Sequence, residues 1–139
     1  QESLPADIAV FVAAVADWRP ARVSPRKMKK RRNASPPVIT LVENPDILKT
    51  VATLTRQRPK LVVGFAAETD KVLDHARAKR INKGCDWIVA NDVSEGRGFE
   101  AEDNAVTLIT GGREESWPVM NKTAIAEKLA ERIAGEMGT

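Results

Sequence analysis

The sequence predicts an α/β domain, a mainly parallel sheet with helices packed on it. Short, nearly continuous apolar runs at 7–16, 61–67 and 86–90 read as strands buried on both faces. Between and after them, apolar residues recur at helical spacing. The two patterns alternate along 139 residues, a length that suits one core.

Each element has its own signal. Residues 7–16, DIAVFVAAVA, form the first strand, and Asp17-Trp18-Arg19-Pro20 ends it. Residues 19–37 carry four prolines and a basic run without periodicity, which predicts a long loop of a kind that is often functional. Residues 38–43, VITLVE, are a strand candidate. Asn44-Pro45-Asp46 then opens a helix, with Asn44 as cap and proline where the N–H is unpaired in any case. Ile47, Val51 and Leu54 make its apolar stripe. After the strand at 61–67, residues 70–83 form a helix with Asp70 and Asp74 early, Lys79, Arg80 and Lys83 late, and Gly84 as terminator. The strand at 86–90 is followed by a polar loop at 91–103, a strand at 105–110, the turn Gly111-Gly112, and an edge strand at 116–120. The final helix, 121–137, spaces Ile125, Leu129 and Ile133 by four. Right-handed crossovers would join the parallel pairs.

Composition excludes several classes. The longest apolar run, 8–16, is far too short to span a bilayer, and no secretory signal is visible. A single cysteine, Cys85, excludes an internal disulfide and offers no metal constellation, so cytoplasm is the default compartment. The chain reaches a buried-type strand within a few residues of Gln1, which reads as a domain whose N-terminal part is missing. The net charge is only +3, but it is unevenly spread. Between Trp18 and Val42 there is no acid, while Arg19, Arg22, Arg26, Lys27, Lys29, Lys30, Arg31 and Arg32 are all basic. Such a field attracts phosphates, whether of nucleic acid, a nucleotide or another anion. The same stretch predicts a mobile segment over about 24–35 in the absence of ligand.

In an open α/β sheet, ligands bind beyond the carboxyl ends of the strands. Polar residues follow the apolar runs there: Asp17, then Glu68 and Thr69, then Asn91 and Asp92. Any one of these is equally a strand that simply ends; three on one edge point to a site. Neither GxGxxG nor a P-loop is present, so phosphates would have to be held by helix N-termini and lysines. The turn at Asn44-Pro45-Asp46 is one such terminus, or only a cap.

Several strings together resemble the phosphopantothenoylcysteine synthetase family. They are AAVADWRP at 13–20, KMKK at 27–30, ENPDIL at 43–48, VGFAAET at 63–69 and AKRINKGCDWIVAND at 78–92, followed by Phe99, Glu102, Asn104 and Val106. The match covers almost the whole chain in order. The resemblance implies a Rossmann-like fold and a CTP-dependent ligation in coenzyme A biosynthesis. The carboxylate of 4′-phosphopantothenate attacks the α-phosphate of CTP, giving an acyl-cytidylate and pyrophosphate; the amine of cysteine then displaces CMP. Mg²⁺ accompanies the triphosphate. FMN would enter only with an upstream decarboxylase domain. A homodimer or larger assembly is implied, and neither membrane nor nucleic acid is among the partners.

Carried onto this sequence, the resemblance places the nucleotide against Phe11, Val12, Ala13 and Asp17, the flap lysine Lys27, the segment Pro45, Asp46, Ile47 and Leu48, then Phe65, Lys79 and Lys83. It places Ala13, Ala14 and Lys27 at the reacting groups. The residues themselves fit in places. Lys79 and Lys83, four apart, can address one phosphate chain or merely complement the helix dipole. Small Ala13 and Ala14 allow close approach to backbone, or tight packing. Asp17 can bind a ribose, a base or a metal, or only end a strand. Phe65 offers a wall for a base, or is core. Only the resemblance singles out Lys27, and His75 has no evident partner. The family also begins this domain with a glycine-rich strand–loop–helix and carries an asparagine segment for the second half-reaction, and neither is here. The implied activity therefore belongs to the parent protein, and this chain holds most of the CTP site. One alternative is a small basic nucleic-acid-binding module using 26–32, disfavoured by scarce aromatics and the lack of a known motif. Another is an assembly element whose basic flap exchanges with a partner subunit.

Overall fold

The apolar runs pair into one sheet. A computed structural model describes residues 3–12, 15–23, 25–26, 38–93 and 103–138. The elements are β1 (Ile8–Phe11), β2 (Trp18–Pro20), β3 (Leu41–Glu43), α1 (Ile47–Ala52), β4 (Leu61–Glu68), α2 (Val72–Lys83), β5 (Trp87–Asp92), β6 (Asp103–Asn104), β7 (Val106–Ile109), β8 (Glu114–Ser116), β9 (Met120–Asn121) and α3 (Lys122–Met137). They fall into two units: Gln1–Val12 with Leu48–Thr139, and Ala13–Ile47.

The larger unit holds a five-stranded sheet in the order β1-β4-β5-β7-β8. β1, β4 and β5 run parallel, each with a crossover before the next, as expected for an α/β fold. β7 and β8 extend the sheet in the antiparallel sense, and β6 pairs with β9 in a short separate ribbon. Strand alternation sorts the core onto two faces. Leu61, Val63, Trp87, Val89, Val106 and Leu108 pack with Ile125 and Leu129 of α3. Val62, Ala66, Ile88, Ala90 and Ile109 pack with Ala76 of α2 and Ala52 of α1. Ile88, Val62, Val63 and Val89 are wholly buried, which makes β4 and β5 the centre of the domain.

Two local features fix the helices. A Cβ on Gly64 would lie 2.7 Å from Leu48 Cδ2 and 3.0 Å from Ile88 Cδ1, so glycine lets the Leu48 side chain of α1 settle directly on β4 here. At the amino ends of the strands, Arg58 donates to both oxygens of Asp86 (3.1 and 3.0 Å) and to the carbonyl of Ala52 (2.7 Å). Asp86 also accepts from the backbone N–H of Val62 at 2.7 Å. This one pair ties the end of α1 to the starts of β4 and β5.

The smaller unit is built on the β2–β3 ribbon, with Trp18 opposite Glu43, Arg19 opposite Val42 and Pro20 opposite Leu41. Asn44 N–H donates to Asp17 O and Ala21 N–H to Thr40 O, both at 2.8 Å. Arg19 closes one end by donating to Glu43 O and Asn44 Oδ1 at 2.8 and 2.9 Å.

The structure moves several expected boundaries. The first strand stops at Phe11, and Val12 beyond it is exposed. Trp18–Pro20, expected as loop, is a strand because Leu41–Glu43 supplies its partner; a proline is tolerated in a two-stranded ribbon, where each strand is an edge. Asn44 does not serve as the expected cap, since its amide donates to Ala16 O at 2.6 Å and its oxygen takes Arg19. The helix it was expected to open has only six residues and excludes Leu54. The edge strand is Glu114–Ser116 rather than 116–120, because Thr110 and Arg113 close the turn with a 2.9 Å backbone bond. Gly84 ends α2 in the left-handed conformation (φ 73°), as expected, and Asn121 caps α3 by accepting from Ala124 N–H at 2.9 Å. The mobile segment expected over 24–35 falls largely outside the described residues. Among these, no helix is long and apolar enough to cross a membrane.

Candidate functional site

The three parallel strands put their carboxyl ends on one edge of the larger unit. These ends are Phe11 and Val12, then Phe65 to Glu68, then Asn91 and Asp92. Register sets Ala67 opposite Asn91 and Glu68 opposite Asp92. Alternation then separates the edge chemically. Glu68 and Asp92 fall on the face covered by α1 and α2, whereas Ala67 and Asn91 fall on the α3 face.

On the α2 face, Phe11, Leu48, Val72 and Leu73 are half-buried against the core cluster of that face. Lys79 and Lys83 lie on α2 one turn apart and half-buried, following the inward residues Val72 and Ala76. By helical rise, they stand about 10 and 16 Å along α2 from its start at the strand edge. Glu68 meets His75 of α2, Nδ1 to Oε2 at 3.6 Å, so the histidine has a partner that the sequence did not reveal. The N-cap of α2 is Lys71, left-handed (φ 44°) and without a side-chain cap.

Phe65 lies on the other face, packed against the core shared with α3. Asn91 is there as well, and its Oδ1 is buried without a hydrogen-bond partner. Asn104 in β6, beyond the carboxyl end of β5, is 3% exposed with its Oδ1 equally unpaired. Sequence reading counted Asn91 among the polar strand ends that point to a site, and named Asn104 only as part of a family pattern.

The remaining expected residues belong to the smaller unit or lie outside the described residues. Asp17 is exposed, and its carbonyl holds the ribbon. Pro45, Asp46 and Ile47 lead into α1, whose short length makes its dipole weak. Ala13, Ala14 and Lys27 lie outside the described residues.

Charge elsewhere is structural. Arg77 clasps Glu114 at 2.6 and 2.8 Å, and this contact holds the Glu114 carboxyl below the usual range. Burial pushes Glu115 up, but its bond to Arg132 and the nearby charges outweigh that and hold it low. Burial raises the Cys85 thiol, which is thus an inert core group. Among the described residues, no group of three or more His, Cys, Asp or Glu could hold a metal. Two grooves line the opposite end of the strands, around Lys60, Asp86 and Met137, and touch none of the expected residues. Strand topology, not concavity, therefore identifies the edge.

Comparison with known proteins covers nearly the entire chain. Residues 1–137 match the family described as the DNA/pantothenate metabolism flavoprotein C-terminal domain. The coenzyme A biosynthesis bifunctional protein CoaBC of Vibrio vulnificus strain YJ016 is 44% identical over 133 residues, 95% of this chain and 33% of that protein. Its counterpart in Escherichia coli K12 is 43% identical over 129 residues, 91% of this chain and 32% of that protein. The chain thus spans about a third of the curated relatives it matches. A crystal structure of the C-terminal domain of a CoaBC protein superposes with a TM-score of 0.71 at 31% identity, covering 95% of this chain and 55% of that one. A DNA/pantothenate metabolism flavoprotein from Streptococcus pneumoniae shares the fold, with a TM-score of 0.64 at 21% identity over 93% of this chain and 60% of that one.

Proposed function

Because the chain belongs to the family of DNA/pantothenate metabolism flavoprotein C-terminal domains, we propose that it carries the nucleotide-binding part of a coenzyme A biosynthesis ligase. The reaction is the CTP-dependent joining of 4′-phosphopantothenate to cysteine. The observation that carries this reading is the unbroken match, 44% identical over 95% of the chain, to a protein designated bifunctional in coenzyme A biosynthesis.

A carboxylate oxygen of 4′-phosphopantothenate attacks the α-phosphorus of CTP, and pyrophosphate leaves with the electron pair of the broken bond. The amine of cysteine then attacks the acyl carbon, loses a proton and expels CMP. Charge accumulates on the α-phosphate in the first step, so a donor placed there acts mainly in the transition state. Lys27 has that role in this reading. Lys79 and Lys83 counter the triphosphate, Phe65 walls the base, and Phe11, Val12, Asp17 and the segment Pro45 to Leu48 frame the nucleotide. Mg²⁺ would accompany CTP and counter the charge of its triphosphate. We further propose that the working state is a homodimer or larger assembly, and that the protein acts in the cytoplasm.

The test is pyrophosphate release from CTP with cysteine omitted, measured on the chain and on a polypeptide of the relatives' full length. The reading predicts release that depends on 4′-phosphopantothenate in the full-length protein. Release indifferent to that acid, or none at all, would count against it.

A further inference from the structure

The open end of the β2–β3 ribbon is closed by the side chains of Asn44 and Arg19. Asp17 and Asn44 stand one step beyond the last paired residues, Trp18 and Glu43. Their backbones continue the ladder, with Asn44 N–H donating to Asp17 O at 2.8 Å. The side chain of Asn44 then bonds in two directions. Its Nδ2 donates to Ala16 O at 2.6 Å, and its Oδ1 accepts from Arg19 Nη1 at 2.9 Å. The same nitrogen of Arg19 donates to Glu43 O at 2.8 Å. All of these residues lie within the smaller unit.

A two-stranded ribbon is marginally stable in water, and its open end is where it frays. Here side-chain bonds hold that end in addition to the ladder. The arrangement needs an amide, one group that donates on one side and accepts on the other. A carboxylate in its place would turn a second acceptor toward Ala16 O, and an aliphatic side chain would leave the end to the ladder alone. Capping is not the reason for this asparagine, since its oxygen takes Arg19 and not a helix N–H. The clasp joins two stretches 28 residues apart. One chain leaves it through Ala16 and Asp17, the other through Pro45, Asp46 and Ile47. In the CTP reading, Asp17 and residues 45–47 frame the nucleotide. The clasp takes only the backbone carbonyl of Asp17 and leaves its side chain exposed.

We propose that Asn44 is a positioning residue of the nucleotide site: with Arg19, it fixes the separation of Asp17 from residues 45–47 before CTP arrives, so that binding need not order them. The proposal rests on the CTP reading above and adds a residue to it. Asn44 acts through the two stretches it joins and takes no part in the chemistry at phosphorus.

Equilibrium binding of CTP and of tripolyphosphate to the unaltered chain and to Asn44→Ala tests this. The substitution removes the side-chain clasp but keeps the backbone bond to Asp17, and both core clusters lie in the larger unit. CTP should weaken about tenfold, the scale of one net hydrogen bond. Tripolyphosphate, which has no nucleoside to frame, should be unchanged. In a polypeptide of the relatives' full length, Asn44→Ala should raise KM for CTP and leave kcat for pyrophosphate release nearly as it was. A merely structural residue gives the opposite split, a lower kcat at unchanged KM as the folded fraction falls, and that result overturns the proposal. So does equal weakening of both ligands, or no change in either. Should Asn44→Ala fail to fold, Arg19→Met decides, set against Arg22→Met, which removes the same charge outside the clasp. Only Arg19→Met should weaken CTP more than tripolyphosphate; equal effects of the two variants overturn the proposal. Failure of the unaltered chain to bind CTP would remove the CTP reading and this role with it, whereas CTP binding indifferent to Asn44→Ala removes only the role of Asn44.

Discussion

Lys27 stands in a run where almost every neighbour is also basic, so a specific role has to be separated from the summed field. A lysine that meets charge developing in the transition state is typically worth roughly 10²–10³ in rate. Lys27→Gln in a full-length protein should therefore slow single-turnover pyrophosphate release by about that factor. Lys30→Gln, in the same run, should change it little. Equal, slight slowing by both would reduce the loop to a diffuse positive field. At this scale the sequence is legible where a residue type forces its chemistry, as with the alternation that buries Val62, Val63, Ile88 and Val89. It is not legible where pairing decides. Nothing in the string predicts that His75 meets Glu68, because the partner lies across a turn and depends on how α2 sets down on β4. Asn104 was hidden for a similar reason: a polar residue before an apolar strand reads as exposed, and the β6–β9 pairing buries it.

At the scale of elements, Leu48 of α1 sits against β4 over Gly64. Adding a methyl there puts carbon 2.7 Å from Leu48 Cδ2, so the Leu48 side chain, or the helix that carries it, must shift. Gly64→Ala should cost about 1–3 kcal/mol in urea unfolding, the usual range for overpacking, and should weaken CTP binding as Leu48 shifts. Unaltered stability and affinity would show that α1 adapts freely and that its seat on β4 does not position the site. The long elements were readable from pattern alone. α2, α3, β4 and β5 combine apolar periodicity with terminators such as Gly84, and only their ends moved. The short ones were not. β2 contains Pro20 and β8 is Glu-Glu-Ser, and both become strands through a partner that local propensity does not contain.

Across the whole larger unit, the two edges of the sheet are unlike. β8 presents Glu114 and Glu115, tied to Arg77 and Arg132, which blunts that edge against further pairing. Among the described residues β1 is the other edge, with Val10 41% exposed, Val12 just beyond it 63% exposed, and no charge within the strand. An apolar, unguarded edge invites another strand. The chain should sediment above its 15.2 kDa monomer mass as concentration rises, and Val10→Lys should return it toward monomer. A monomer at all concentrations would show that β1 is already satisfied. The α/β class was legible at this scale because buried strands and helical stripes alternate. The antiparallel direction of β7 was not, since direction follows from the route of the connecting segment and leaves no periodicity. Nor was the division into two units, because the ribbon of β2 and β3 forms by pairing across the basic stretch. The central claim is that this chain holds a cytidine nucleotide site at the carboxyl edge of β1, β4 and β5. Calorimetric titration with CTP, and with ATP as control, addresses it most directly. The account predicts saturable CTP binding with clearly weaker ATP binding; equal heats for the two nucleotides, or none with CTP, would contradict it.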